Sequence, residues 1–148
     1  MTKYIKADEF YYPYQVKKAG YLAIKGDTFG DWQAEVPSDA DIIDYTGYSI
    51  APGLVDTHIH GFAGADVMDN SKEALETMSH ALLGAGVTSF LATGLTASFE
   101  TLDDICRTAA DFAGQESGAR IQGLFFEGPY FTEKYKGAQN PSYMRNPS

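Results

Sequence analysis

The sequence predicts an α/β fold in which a β-rich segment, residues 1–51, precedes a second region, residues 52–148, where strands alternate with helices. Three observations predict this fold. The first region contains short apolar runs separated by turn residues. The second contains two segments whose apolar residues recur at helical spacing. Each helical segment lies between runs rich in β-branched and aromatic residues, an order typical of parallel strands joined by right-handed crossovers.

The composition disfavours several classes of partner. Hydrophobic residues make up 44% of the 148 residues and charged residues 21%, which is typical of a globular protein. The formal net charge of −9 argues against nucleic acid and anionic membranes. The single cysteine excludes an intrachain disulfide. Residues 1–6 lack the apolar run of a signal peptide. No run approaches the roughly 20 apolar residues of a membrane helix. We therefore expect a cytoplasmic protein.

Short strands joined by turns are predicted in the N-terminal region. Gly26 and Asp27 are turn residues between two of the strands. An aromatic run, Phe10 to Tyr14, is expected to pack in the core, because no basic residues alternate with it as nucleic-acid binding would require. The predicted strands are 20–25, a returning strand through 28–29 and 32–36, and two shorter strands, 42–45 and 48–50, around Gly47.

Three strands and two helices are predicted in the second region. The first helix is expected to begin after Asn70 as its N-cap, with Glu73 three residues later. Ser98 is expected to cap the second helix, which runs from about 99 to 112. The predicted strands are 54–60, 87–93 and 121–126.

The two faces of the strand 54–60 differ in character. Side chains alternate along a strand, so Asp56, His58 and His60 share one face, while Val55, Ile59 and the threonine between them share the other. An open sheet between helices would have two apolar faces. One polar and one apolar face fit a barrel, in which the apolar face meets outer helices and the polar face looks into the mouth.

The candidate metal ligands are His58, His60 and Glu127. His60 lies at the C-terminal end of its predicted strand, where active sites of such barrels lie. Glu127 follows the apolar run 124–126, where a carboxylate is costly to bury unless it is paired or metal-bound. Neutral imidazoles suit zinc, iron, cobalt or manganese. The spacing of a His-x-His pair alone is a weak signal, and Glu127 alone is more typical of a capping or salt-bridged carboxylate.

The segment 51–61, APGLVDTHIHG, resembles the first barrel strand of the amidohydrolase superfamily. Within that superfamily the chain is most similar to the N-acetylglucosamine-6-phosphate deacetylases. Three further stretches carry the resemblance: GADVMD at 64–69, the strand GVTSFLAT at 86–93, and FEGPY at 126–130 followed by KGAQNP at 136–141. Residues 1–50 fit the small β-sandwich domain of that family.

The resemblance implies a site and a reaction. Glu127 matches the primary metal ligand, and His58 and His60 match ligands of a second ion in two-metal members, with zinc or iron as the expected metals. Ala138 and Gln139 match the loop that contacts the amino-sugar phosphate. The reaction would be metal-dependent hydrolysis of the acetamide of N-acetylglucosamine 6-phosphate to glucosamine 6-phosphate and acetate, in amino-sugar catabolism. A homodimer is the expected assembly.

The length of the chain sets a limit on this expectation. A complete (β/α)8 barrel takes roughly 250 residues, and the chain contains three of the eight strands. We expect an incomplete (β/α)8 TIM-type barrel, its first three β/α units, that is inactive by itself. The catalytic, proton-transferring aspartate and the further histidine ligands belong to later strands of the family's barrel, so no catalytic residue is assigned within residues 1–148.

Three alternatives stay open from the sequence. One is another amidohydrolase, similar to dihydroorotase or hydantoinase, against which the segment 136–141 argues. The second is a non-enzymatic fragment that partner chains complete. The third is a small all-β binding module with an unrelated helical tail, which the two helical segments between strands disfavour.

Overall fold

The chain folds into two units, Met1–Pro52 and Gly53–Ser148, of which the computed structural model describes residues 2–147. The strands of the first unit are β1 (Thr2–Tyr12), β2 (Gln15–Lys17), β3 (Gly20–Lys25), β4 (Thr28–Gln33) and β5 (Asp41–Ile50). The elements of the second unit are β6 (Leu54–Ile59), β7 (Gly61–Phe62), β8 (Ala65–Asp66), α1 (Lys72–Gly84), β9 (Val87–Gly94), α2 (Phe99–Phe112) and β10 (Arg120–Phe126). Short 3-10 helices occupy Val67–Asp69, Glu133–Tyr135 and Pro141–Tyr143.

The central strand of the first unit is β1. It pairs antiparallel with β2 and β3 and parallel with β5, while β3 pairs antiparallel with β4. Phe10 on β1 is 1% exposed and forms an apolar cluster with Ala7 and Leu22. The prediction that the aromatic run packs is therefore confirmed for Phe10. It is wrong for Tyr14, which lies in the turn between β1 and β2 and is fully exposed.

Two strand predictions in the first unit are wrong in their bounds. The runs 42–45 and 48–50 belong to one continuous strand, β5. Its register against β1 shifts between Ala7 and Glu9, and Gly47 has a φ of 92°, so the strand passes an irregularity without ending. The returning strand β4 is also continuous, and it ends at Gln33 rather than at residue 36.

Parallel strands in the order β10-β9-β6 form the main sheet of the second unit. The central strand β9 carries Phe90 and Ala92, both fully buried. The helices α1 and α2 contribute Met78, Leu82 and Ile105 to the same apolar core. The predicted α/β class and the strand–helix order of this region are confirmed. Neither α-helix among the described residues has the length and apolarity needed to cross a membrane.

The helix N-caps show why one cap prediction is right and the other wrong. Ser98 caps α2, and its side chain accepts a hydrogen bond from the Thr101 backbone, as predicted. The N-cap of α1 is Ser71, whose side chain accepts from Ala74, and not Asn70. Asn70 instead ends the preceding 3-10 helix in the left-handed conformation, with φ 50° and ψ 46°. Asparagine tolerates this conformation better than most other non-glycine residues. Asn70 therefore ends the 3-10 helix, while the adjacent Ser71 begins α1.

The edge strands of the second unit expose apolar side chains. Ile59 on β6 packs against the core, as predicted for the apolar face of that strand. Val55, predicted to share this contact, is 62% exposed, and Leu54 beside it is 61% exposed. On the opposite edge, Phe125 and Phe126 of β10 are also exposed. The face prediction is therefore wrong for Val55, because the outer helices α1 and α2 do not cover the start of β6.

Candidate metal centre

The C-terminal ends of the parallel strands bring the predicted ligands together. His58 is the penultimate residue of β6, His60 directly follows that strand, and Glu127 directly follows β10. The Glu127 backbone N–H donates to the Gly94 carbonyl at 3.0 Å, which joins the ends of β10 and β9. Strand pairing thus places side chains from positions 58 and 127, far apart in sequence, at one edge of the sheet.

The three side chains meet through one atom each. Nε2 of His60 lies 2.8 Å from Oε2 of Glu127, and Nε2 of His58 lies 3.0 Å from the same oxygen. The two Nε2 atoms are 3.3 Å apart. Because all three atoms converge, His58, His60 and Glu127 form a group whose geometry could hold one metal ion.

Hydrogen bonds alone do not satisfy this triangle of atoms. Nδ1 of His60 lies 3.0 Å from the Thr93 carbonyl oxygen, which only accepts, so Nδ1 carries the hydrogen. In a neutral ring, Nε2 of His60 is then a lone pair facing the Glu127 carboxylate, which is also an acceptor. A hydrogen on His58 Nε2 can be donated either to His60 Nε2 or to the Glu127 carboxylate. In both cases the lone pair of His60 Nε2 still faces the carboxylate, and no hydrogen lies between them.

A cation would relieve this conflict, and the separations fit one. Zinc binds imidazole nitrogen and carboxylate oxygen at about 2.0–2.2 Å. Ligand atoms at that distance from one ion, at angles between 90° and 109°, lie about 2.8–3.5 Å apart by the same dimensions. The three observed separations, 2.8, 3.0 and 3.3 Å, fall in this range. The donor set and its spacing therefore fit a divalent ion.

The electrostatics of Glu127 favour its ionised form. Partial burial raises the pKa of the Glu127 carboxyl, but its contacts with the imidazoles of His58 and His60 outweigh this effect, so its pKa lies below the usual value. The side chain is 31% exposed, and those of His60 and His58 are 30% and 48% exposed. The group is thus open to solvent on one side, as a site that admits a ligand must be.

Asp56 does not join the three ligands, although it precedes His58 by two residues. Its Oδ1 accepts a hydrogen bond from the His58 backbone N–H at 3.0 Å. The ring of His58 also packs against Phe125, with 5.0 Å between ring centroids. These two contacts orient His58, while Asp56 supports the backbone at the end of β6 rather than facing the centre.

Gln139 and Ala138 lie in the loop after β10 but differ in their surroundings. Gln139 is 5% exposed, and its Oε1 accepts from the Thr96 backbone N–H at 2.8 Å. The Thr96 hydroxyl in turn donates to the Glu127 carbonyl at 3.1 Å. Ala138 is exposed. The side-chain oxygen of Gln139 is thus committed to the fold, and it is linked through Thr96 to the backbone of Glu127.

Two residues of this region were missed by the sequence reasoning. Both Thr93 and Thr96 are buried. The Thr93 hydroxyl accepts from the Ile59 backbone N–H beside His60, and the Thr96 hydroxyl donates to the Glu127 carbonyl. A signal exists in the sequence, since both are hydroxyl residues, and Thr93 lies near the end of the strand 87–94 while Thr96 lies two residues beyond it. Such residues are also common at ordinary strand ends, so the signal alone assigns no role.

A family model described as the amidohydrolase family matches residues 49–146. The chain belongs to the amidohydrolase family. An N-acetylglucosamine-6-phosphate deacetylase of Vibrio furnissii is 41% identical over 107 residues, which cover 72% of this chain and 27% of that protein. An N-acetylgalactosamine-6-phosphate deacetylase of Escherichia coli O157:H7 is 37% identical, over 65% of this chain and 26% of that protein.

Solved structures of the family share the fold. The crystal structure of N-acetylglucosamine-6-phosphate deacetylase from Pasteurella multocida superposes with a TM-score of 0.88 and 27% identity, covering 100% of this chain and 40% of that one. The resemblance inferred from residues 51–141 is confirmed. The chain spans about a quarter of the length of the two relatives named above and two fifths of the Pasteurella chain.

Proposed function

We propose that this chain forms the first part of a metal-dependent amide hydrolase that deacetylates N-acetylglucosamine 6-phosphate to glucosamine 6-phosphate and acetate. The observation that carries the proposal is the convergence of His58, His60 and Glu127 at the strand ends in a member of the amidohydrolase family. The names of the relatives support an amino-sugar phosphate over the cyclic amides of dihydroorotases and hydantoinases.

Each of the three side chains has a stated role in this proposal. His58, His60 and Glu127 would hold zinc or iron, and the carboxylate of Glu127 would offset part of the ion's charge. A bound divalent metal supplies polarisation of the amide carbonyl and a lower pKa of bound water. Ala138 and Gln139 shape the loop that faces the sugar phosphate.

The proposal also assigns an architecture to the two regions of the chain and an activity to the 148 residues by themselves. Residues 1–51 form part of a small β-sandwich domain, and residues 52–148 form the first three β/α units of an eight-stranded barrel. The close superposition on two fifths of the Pasteurella chain supports this division. Because the group for protonating the leaving amine belongs to later strands in the family, the 148 residues alone bind metal but do not turn over substrate. A cytoplasmic location and a homodimer also remain proposals.

Metal content and acetate release test the proposal together. The purified 148-residue chain is loaded with Zn²⁺ or Fe²⁺, dialysed and measured for bound metal, then incubated with N-acetylglucosamine 6-phosphate and N-acetylgalactosamine 6-phosphate. We expect bound metal in the wild type, its loss in His60→Ala, and no acetate. Metal retained equally by His60→Ala and Glu127→Gln would refute the assigned ligands, and metal-dependent acetate release would refute the inactivity of the chain.

His80→Ala is the matched control for that experiment. His80 is an exposed histidine on α1 and lies outside the three-ligand group. Removing it changes the histidine count as His60→Ala does, so adventitious metal binding to surface histidines would fall equally in both variants. We expect His80→Ala to keep the wild-type metal content. A metal-free wild type would instead favour the non-enzymatic, partner-completed alternative.

A further inference from the structure

The pairing of β6 with β9 is irregular beside the candidate metal ligands. Asp56 pairs with Phe90, and the next paired residues are Ile59 and Ala92. Three steps along β6 therefore match two steps along β9, which leaves one extra residue on β6. Such a bulge bends the strand and re-aims its side chains, and it is common next to active sites. His58 lies inside this bulge.

Thr93 on β9 holds the strand directly after the bulge. Its hydroxyl accepts a hydrogen bond from the Ile59 backbone N–H at 3.0 Å and donates to the Leu91 carbonyl at 3.2 Å. Its backbone carbonyl accepts from Nδ1 of His60 at 3.0 Å. Thr93 is fully buried, so solvent cannot replace these contacts. One residue thus fixes both the backbone between the two histidines and the ring of the second.

We propose that Thr93 is a positioning residue of the metal centre, whose hydroxyl fixes the bulge so that the Nε2 atoms of His58 and His60 converge on Glu127. The inference rests on the proposed metal-binding function. The hydroxyl replaces a strand-to-strand backbone hydrogen bond at Ile59, where the bulge interrupts the regular ladder. The position of Ile59 then determines the backbone position of His60, and so whether Nδ1 of His60 reaches the Thr93 carbonyl. Groups that orient a metal-binding imidazole in this way typically affect metal affinity by about 10- to 100-fold.

A simple packing role for Thr93 makes a different prediction. If the hydroxyl only filled space in the core, valine would replace it with little effect on the centre, because valine has nearly the same shape. If the hydroxyl positions Ile59, valine removes the acceptor of that N–H, and serine restores it. The comparison of Thr93→Val with Thr93→Ser therefore separates the two roles, and Thr93→Ala provides a second hydroxyl-free variant if the valine variant does not fold.

Ser79→Ala is the control for a loss of stability. Ser79 is also fully buried in the second unit, and its hydroxyl donates to the Ala119 carbonyl at 2.8 Å. It has no hydrogen bond to β6 or to the three ligands. Loss of its hydroxyl therefore weakens the same unit by a similar kind of change without altering the strand that carries the histidines.

The experiment measures Zn²⁺ affinity by competition with a chelator, and amide hydrogen exchange at Ile59 in the metal-free chain, for the full 148-residue protein. We expect Thr93→Val to bind Zn²⁺ roughly 10- to 100-fold more weakly and to lose protection at Ile59, with Thr93→Ser and Ser79→Ala close to wild type in affinity. Wild-type affinity in both hydroxyl-free variants, or an equal loss in Ser79→Ala, would overturn the positioning role alone. A wild-type chain that binds no Zn²⁺ or Fe²⁺ would refute the proposed function and the positioning role with it.

Discussion

Removing the side-chain amide of Gln139 is expected to destabilise the second unit. In Gln139→Ala the Thr96 backbone N–H loses its acceptor, Oε1 of Gln139, at a position where both residues are only 5% exposed. Leaving a buried donor unsatisfied costs about 1–3 kcal/mol. For a unit of this size, residues 53–148, each kcal/mol lowers the unfolding temperature by roughly 4–8 °C, so we expect a decrease of about 4–24 °C.

Circular dichroism at 222 nm is the suitable signal for this measurement, because α1 and α2 both belong to the second unit. The only tryptophan, Trp32, belongs to the first unit, so its fluorescence reports separately on that unit. Gln122→Ala, an exposed glutamine on β10, is the control and should change the free energy of unfolding by less than about 0.5 kcal/mol. An unfolding temperature in Gln139→Ala equal to that of the control would refute the structural role of this amide and leave ligand contact as its only function.

Two further predictions concern a helix cap and an ion pair. Ser71→Ala should lower the free energy of unfolding of the second unit by about 1 kcal/mol, measured by urea unfolding, because Ser71 and not Asn70 caps α1. An unchanged free energy of unfolding in Ser71→Ala would contradict that assignment. Hydrogen bonds from the Thr46 side chain and backbone, with the nearby Lys6, lower the pKa of Asp44 to about 2. The contribution of the ionised Asp44 to stability is therefore present above about pH 4 and is lost as the pH falls towards 2. The stability difference between wild type and Asp44→Asn, followed by tryptophan fluorescence, should therefore shrink over that range, and a difference that stays constant down to pH 2 would argue against the lowered pKa.

The order of elements in the second unit was predictable because its apolar patterns are long. Residues 72–84 and 99–112 show helical spacing, and the strand between them, residues 87–94, is rich in β-branched and apolar residues. The first unit was less predictable. Its longest strand, β1, was missed because Lys6, Asp8 and Glu9 interrupt the apolar alternation, and those charges are held at the surface partly by pairing with Asp44 and Lys18. Tertiary pairing rather than local pattern determines that strand.

The candidate ligands could be predicted, but the contacts that orient them could not. The His-x-His spacing and the strand-end position of Glu127 indicate a shared site from sequence, and the structure brings all three residues together. The bulge at His58 depends on the register between β6 and β9, which the sequence does not show. The roles of Thr93 and Thr96 depend on that register in turn. Likewise, the exposure of Val55 depends on which helices cover β6, and strand periodicity carries no information on that coverage.

X-ray absorption at the zinc edge of the Zn²⁺-loaded 148-residue chain tests the central claim most directly, because it reports the atoms bound to the ion. The convergence of His58, His60 and Glu127 predicts two imidazole nitrogens at about 2.0–2.1 Å together with carboxylate or water oxygen, and the loss of this signal in His60→Ala, which is expected to lose the metal. A first shell of oxygen alone, or a spectrum unchanged in His60→Ala, would contradict the assignment of these three side chains as a metal centre.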